Sequence, residues 1–408
     1  MKKILLTLLI LAVGVQTISC AKTRKPVEAA DLSAQADTVK AEMPKINIAE
    51  ELAKLDTIFR VDSPSVNSAH EHYLRALDML EDGKTIFAEL FLKRALAYEP
   101  TSHFLLDEVI KILLRQNKTE EAFPLLKLAV QMPSVTSENH LFLARLYREK
   151  KMLDSAAVYY KKVTDRVQRN LAVLYEYSQL LEFLQNYEEQ KRIYDILLPE
   201  LDYPPRLLER QIGLYQITNT PDSVIAELLG EAFRANGISY AEYGYLQAQI
   251  LSSLKKYREA NEVLLTIFFM HPSRELTSKI ALNIAYNYEL MDSITVAVIW
   301  LEQLLEREPE NHIAMNNLGY MLIDRDLDIE RGIILVDKAL SYSPEEPSYL
   351  DSKAWGLYKI GKYAEALEIL EKLEASGMDA RELWEHLAAV CEALKLEERA
   401  KKYREKIK

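Results

Sequence analysis

From residue 69 to the C-terminus, apolar positions recur every three or four residues in stretches of about a dozen, separated by short polar or Gly/Pro breaks. That period predicts amphipathic helices, and the short breaks predict that successive helices pack as antiparallel hairpins. The clearest unit runs from Pro347 to Ala380, where YLDSKAWGLYKIGKYAEALEILEKL forms two helical stretches joined at Gly361. Ala354 and Ala366 fall where the two helices would approach most closely. The same scheme recurs with Ala248, Tyr257, Ala260 and Pro272, and again with Ala285, Ala297 and Pro309. A further copy has Leu318 and Gly319 at the close approach and ends at Ala339 and Pro344.

Earlier segments hold the same phase of about 34 residues. Ala76, Gly83, Ala88, Ala95 and Pro100 mark 69–102; Ala122, Ala129 and Pro133 mark 103–136; Ala144, Tyr147, Ala156 and Tyr160 mark 137–170. The pattern thins at 171–204, where Ser178, Tyr187 and Gln190 take the diagnostic places. It is faintest at 205–240, where Pro205, Pro221 and two apolar-periodic stretches still predict a helical pair. One hairpin cannot bury its own apolar face, so the repeats must stack into a continuous core. The predicted fold is an all-α solenoid of about nine to ten hairpins over 69–380, closed by a capping repeat at 381–408 with a charged end, KKYREKIK. Ile48, Leu52, Leu55 and Phe59 add an extra helix, so that 46–68 reads as that helix and a linker.

The N-terminus follows a different pattern. Two lysines precede an apolar run from Ile4 to Val15, too short for a membrane span of about 20 residues but suited to a secretory signal. The run ends at Gln16-Thr17-Ile18-Ser19-Cys20. Ser19 before Cys20 resembles a bacterial lipobox, which implies a signal peptide over 1–19 and a lipidated Cys20. Residues 20–45 are polar and without a helical stripe, and read as a flexible tether. Two acyl chains or more hold a protein stably on a bilayer. Ala21 after the cysteine points to the outer membrane.

Composition narrows the function. The chain has 408 residues, 49% hydrophobic and 28% charged, with 11 Gly and 14 Pro, which excludes collagen and disordered classes. Residues 1–45 carry seven Lys/Arg against four Asp/Glu, or +3, so the rest carries −14 of the net −11. That balance argues against nucleic acid as a partner. Cys20 and Cys391 are too few for a disulfide framework. The seven histidines show no metal-ligand spacing, and His70 and His72 read as ordinary surface histidines. With no nucleophile elbow, phosphate loop or Cys/His pair, neither catalysis, nor a cofactor or metal, nor a small-molecule substrate is expected.

The repeat resembles the tetratricopeptide repeat, with a bulky residue, Leu-Gly and Tyr in the first helix and Ala, Phe or Tyr, Ala and Pro in the second. The resemblance implies a right-handed superhelix whose concave groove, lined by the first helices, binds protein. Projected onto that groove are Tyr175, Gln179, Tyr245, Gln249, Tyr286 and Glu289, then Asn316, Tyr320, Asp351, Trp355 and Tyr358. Tyrosine suits a wet recognition surface, although many such tyrosines serve packing. Asn316 lacks the basic partners of the subfamily that clamps a carboxylate terminus. With the anchor, NNLGY at 316–320 and YLDSKAWGLY at 349–358, the chain is similar to bacterial tetratricopeptide lipoproteins. One such group is an adaptor for the periplasmic carboxyl-terminal processing protease. The implied role is a lipid-anchored scaffold in the cell envelope, facing the periplasm and holding periplasmic or outer-membrane proteins. A structural subunit of an outer-membrane assembly, secretion or pilus-biogenesis complex is the alternative.

Overall fold

A computed structural model describes residues 68–133, 135–166 and 170–407. The expected leader, Cys20, tether and extra helix lie outside the described residues. The chain divides into two compact units, Met1–Lys151 and Met152–Lys408. The break falls inside the stretch 137–170 that reads as one repeat.

The first unit contains α1 (Ala69–Glu81), α2 (Thr85–Tyr98), α3 (His103–Arg115), α4 (Thr119–Ala129) and α5 (Ser137–Glu149). The second begins with α6 (Leu153–Arg166), α7 (Leu171–Phe183), α8 (Tyr187–Glu200), α9 (Pro205–Ile217) and α10 (Asp222–Asn236). It continues with α11 (Ala241–Ser253), α12 (Tyr257–Phe269), α13 (Arg274–Leu290), α14 (Ile294–Arg307) and α15 (His312–Asp324). It ends with α16 (Ile329–Tyr342), α17 (Pro347–Lys359), α18 (Tyr363–Ala375), α19 (Arg381–Ala393) and α20 (Glu397–Ile407). Among the described residues there are helices and turns and no strand, so the fold is the all-α solenoid that the periodicity predicts.

Two local signals set the register. Ser68, Ser102, Thr136 and Asn170 cap α1, α3, α5 and α7, each side-chain oxygen accepting from the backbone N–H three residues on. Such a cap stabilises a helix by about 1 kcal/mol. Between the two helices of each repeat, one residue turns the chain in the left-handed region. These are Gly83, Asn117, Lys151, Gln185 and Asn219, about 34 residues apart, then Lys255, Asp292, Asp326, Gly361 and Lys395. Glycine takes this strained place in two of them, so glycine spacing alone understates the repeat.

The predicted crossing residues are the most deeply buried. Ala76, Ala88, Ala122, Ala144, Ala156, Ala248, Ala260, Ala297, Ala354 and Ala366 are fully inaccessible, and Ala285 is nearly so. At α15 and α16 the contact tightens further. A β-carbon on Gly319 would lie 2.8 Å from the Gly332 carbonyl oxygen, and one on Gly332 would lie 2.7 Å from the Gly319 oxygen. In the thin repeat Ser178 fills the crossing and satisfies its hydroxyl by donating to the Tyr175 carbonyl at 2.8 Å. The faint repeat at 205–240 is the helical pair α9 and α10, followed by a 3-10 turn at Gly237–Tyr240 that lengthens its spacing.

One expectation is corrected. His72 is buried, not a surface histidine, because its ring stacks between rows of apolar residues on Phe91 at 6.1 Å and Tyr98 at 5.3 Å. Burial in first place, then Arg75 and Arg94, hold its pKa below the ordinary histidine value. At the other end, α20 closes the array. Tyr403 stacks on Trp384 at 5.9 Å and donates to Glu374 Oε2 at 2.7 Å, while Cys391 is wholly buried.

Candidate functional site

The first helices of the last four repeats, α13, α15, α17 and α19, each place two polar or aromatic side chains about one turn apart, hence on one face. The pairs are Tyr286 and Glu289, Asn316 and Tyr320, Asp351 and Trp355, and Glu382 and His386. Because α15 packs on α17 and α17 on α19, these faces adjoin. Together they line a cleft of about 360 Å³ that includes Tyr286, Glu289, Asn316, Tyr320, Asp351 and Glu382. A second cleft of about 480 Å³ opens beside it, over Tyr320, Asp324, Trp355, Glu382, Glu385 and His386.

The floor is built from an interlocked polar and aromatic group. His386 lies flat on Trp355, with ring centroids 4.2 Å apart and planes at 13°. Its Nδ1 sits 3.0 Å from Asp351 Oδ2 and 3.1 Å from Oδ1, both residues being buried. Trp355 Nε1 donates to Asp324 Oδ1 at 3.1 Å, and Tyr358 stacks on the indole at 4.7 Å. Three helices are thereby tied by stacked rings and by the Trp355–Asp324 and His386–Asp351 hydrogen bonds. Trp355, Tyr358 and Asp351 are therefore parts of the groove wall.

Around this group stand the Glu289 and Glu382 carboxyls, Tyr286, Tyr320 and the Asn316 amide. Glu289 is held above the ordinary carboxyl pKa by burial, with Asp324 and Glu382 reinforcing the shift and Arg325 opposing it. Tyr320 is pushed far above the ordinary phenol value by burial and then by its hydrogen bond to the Glu382 carboxylate. Burial likewise raises Tyr286, helped by Glu289. Asn316 is 6% exposed and its Oδ1 accepts no hydrogen bond among the described residues.

The structure thus brings together Tyr286, Glu289, Asn316, Tyr320, Asp351, Trp355 and Tyr358 of the projected groove. Tyr175 and Tyr245 stand apart from this cleft. Tyr175 is 46% exposed on α7. Tyr245 is buried on α11, its hydroxyl accepting from Asn283 Nδ2 at 2.8 Å, and burial pushes its pKa up to about 12. Its contacts are those of a packing residue.

Sequence reasoning missed Glu382 and His386. The signal lay in the phase, since they stand where Ser348 and Ser352 stand one repeat earlier, and both serines line the same cleft. Reading 381–408 as a cap stopped the projection one helix short. Asp351, Glu382 and His386 also place one ligand-type atom each within 4.8 Å of one another, a set of two carboxylates and an imidazole that suits a divalent cation. No metal was expected from the spacing, because these ligands come from two different repeats.

Comparison with known proteins adds the following. No family model matches the chain. A TPR repeat-containing protein of Pseudomonas aeruginosa is 39% identical over 72 residues, which is 18% of this chain and 12% of that protein. Among solved structures, MamA from Desulfovibrio magneticus aligns with a TM-score of 0.35 and 21% identity over 41% of this chain and 92% of its own. A tetratricopeptide repeat protein from Parabacteroides merdae aligns with a TM-score of 0.31 and 16% identity over 71% of this chain and 98% of its own. The P58(IPK) TPR domain aligns with a TM-score of 0.28 and 14% identity over 81% of this chain and 99% of its own. No helix among the described residues is long and apolar enough to cross a membrane. Among the described residues the hairpins and the left-handed turn between their helices make an α-solenoid, and over 72 residues the chain is similar to a tetratricopeptide repeat protein.

Proposed function

We propose that this chain is a lipid-anchored scaffold of the bacterial cell envelope that holds a protein partner in the groove over α13, α15, α17 and α19. The observation that carries the reading is that groove: a preformed cleft of about 360 Å³ edged by accessible Tyr286 and Glu382, beside a second cleft lined by the stacked Trp355 and His386. A wall held by stacked rings and buried hydrogen bonds is rigid before a partner arrives, which lowers the entropic cost of binding. Aromatic side chains with polar tips are the type enriched at such contacts. The anchor rests on the pattern ending at Cys20, and with it the reading of a periplasm-facing location. The role is one of binding and presentation, as for an adaptor that brings clients to a protease or cell-wall enzyme.

Cross-linking in cells followed by affinity capture tests the groove. Defined partners should be recovered with the native chain and lost with Tyr286→Ala/Tyr320→Ala. Equal recovery with that variant would move the interface elsewhere on the solenoid. Cys20→Ala tests the anchor, since the variant should leave the membrane fraction; unchanged fractionation contradicts acylation there.

A further inference from the structure

Resting on the groove reading above, the geometry points to a cationic side chain, lysine or arginine in an extended segment of the partner, as the group that the cleft over Glu289, Asn316 and Glu382 recognises. Three observations support this. First, the local cations are already taken. Arg381 pairs with Glu385 at 2.8 Å, and Arg325 pairs with Asp292 at 3.1 Å and with Asp324 at 3.3 Å. Glu289 and Glu382 have no ion-pair partner among the described residues, yet they line one cleft, and the Glu382 charge acts on Glu289. Asp324 and Glu382 repel the Glu289 carboxylate while Arg325 opposes them, and an arriving ammonium or guanidinium adds to the relief that Arg325 gives.

Second, Asn316 is nine-tenths buried, lines the same cleft and leaves its Oδ1 without a donor. An unmade hydrogen bond at a buried acceptor is costly, so a donor from the partner that reaches it gains there what the free protein lacks. Third, the walls are aromatic. Tyr286 is half exposed and Tyr320 lines both clefts, giving ring faces over which a cation is attracted. A lysine ammonium has three donors and a guanidinium five, and two carboxylates with one amide oxygen can satisfy them. The body's −14, read with the −11 of the whole chain, steers a basic segment toward it.

The test uses the full chain in mild detergent and isothermal titration with pentalysine, pentaarginine and pentaglutamate. Wild type should bind both cationic peptides and not pentaglutamate. Glu289→Gln/Glu382→Gln should weaken the cationic peptides by at least about tenfold, since each charged hydrogen bond is worth more than a factor of ten. The control Glu306→Gln/Glu310→Gln removes the same charge from exposed positions on and beside α14 and should change affinity less than about twofold. The ratio of pentalysine to pentaarginine affinity then names the preferred cation. Equal losses in the two double variants, or no loss in either, would reduce the effect to the acidic surface and overturn the inference. So would micromolar binding of zinc chloride alone that disappears in Glu382→Gln, because it would assign the carboxylate to a metal held with Asp351 and His386. If cross-linking still recovers a partner that depends on Tyr286 and Tyr320 while these peptides fail, the scaffold reading stands and the cation preference falls.

Discussion

Replacing Gly319 by alanine tests whether the array is held by close helix approach. In a helix interior alanine is favoured over glycine by about 0.8–1.0 kcal/mol, so the change should stabilise wherever there is room for a methyl group. At Gly319 there is none. The added β-carbon would meet the Gly332 carbonyl oxygen at 2.8 Å and Val336 Cγ2 at 2.8 Å, the first on the backbone of α16 and the second on a stiff branched side chain. Neither can rotate away, so α15 and α16 must separate, at an overpacking cost of about 1–3 kcal/mol. The reference is Gly213→Ala on α9, where the new β-carbon would meet nothing within 4 Å. Gly213→Ala should therefore stabilise by about 1 kcal/mol, and Gly319→Ala should end neutral to about 2 kcal/mol destabilising. The difference between them, about 1–3 kcal/mol, isolates the overpacking because the helix-propensity gain is common to both. A stacked array can unfold in parts, so amide hydrogen exchange within α9 and within α15–α16 is the appropriate readout. If the two variants shift their own helices by the same amount and sign, the close approach carries no energy and the reasoning fails.

Other outcomes follow from particular residues. His72 is kept neutral by burial, so the unfolded chain takes up a proton near pH 6.5 before the folded one does. Its contribution is complete above that pH and falls as pH drops toward its lowered folded pKa, by at most about 1.4 kcal/mol per pH unit; His72→Phe should flatten that part of the stability profile of α1–α2. In a Cys20→Ala chain the remaining thiol, Cys391, is fully buried and raised in pKa by burial, so a disulfide reagent should label it only as fast as α19–α20 opens, and at once in denaturant. Lys255 sits at a φ of 63°, and Lys255→Gly should stabilise α11–α12 in denaturant titration, by up to about 1 kcal/mol where relief of the left-handed strain exceeds the glycine's larger unfolded entropy.

The fold was largely legible because its demands are local and repeated. An alanine or glycine at most crossings, a proline or cap before most first helices and an apolar stripe on the helices can all be read along the chain. The readings were least distinct where another residue met the same demand in a less familiar way. Ser178 occupies a crossing because its hydroxyl can bond back to its own helix, and Gln190 is buried against Tyr194 at 3.3 Å. Lysine, glutamine, asparagine and aspartate hold left-handed turns for which glycine is the usual marker. His72 looked like a surface residue because its burial depends on Phe91 and Tyr98 on the following helix, whose facing is fixed by packing.

The groove was legible as a stripe but not as a set of partners. Repeat phase correctly puts Tyr286, Tyr320 and Trp355 at equivalent places, yet it cannot assign them equal roles. Tyr286 is 54% exposed, whereas Trp355 is held between Asp324, Tyr358 and His386. The difference comes from neighbours: Trp355 has a following repeat with a histidine in reach of its ring, and that histidine has Asp351 to hold it. The same curvature that supplies those neighbours brings Glu289 of α13 within electrostatic reach of Glu382 of α19, two carboxyls far apart along the chain. Convergence over such a separation is a property of stacked repeats, and the phase that marks each residue does not say that the two meet. Replacing His386 by alanine therefore separates wall from contact: Trp355 should lose its ordered environment, seen as a change in indole fluorescence, while the Glu289 and Glu382 side chains are left in the sequence. If cationic peptides then bind as before, the carboxylates act without the wall; if affinity falls with both glutamates intact, the stacked wall is what holds them in place.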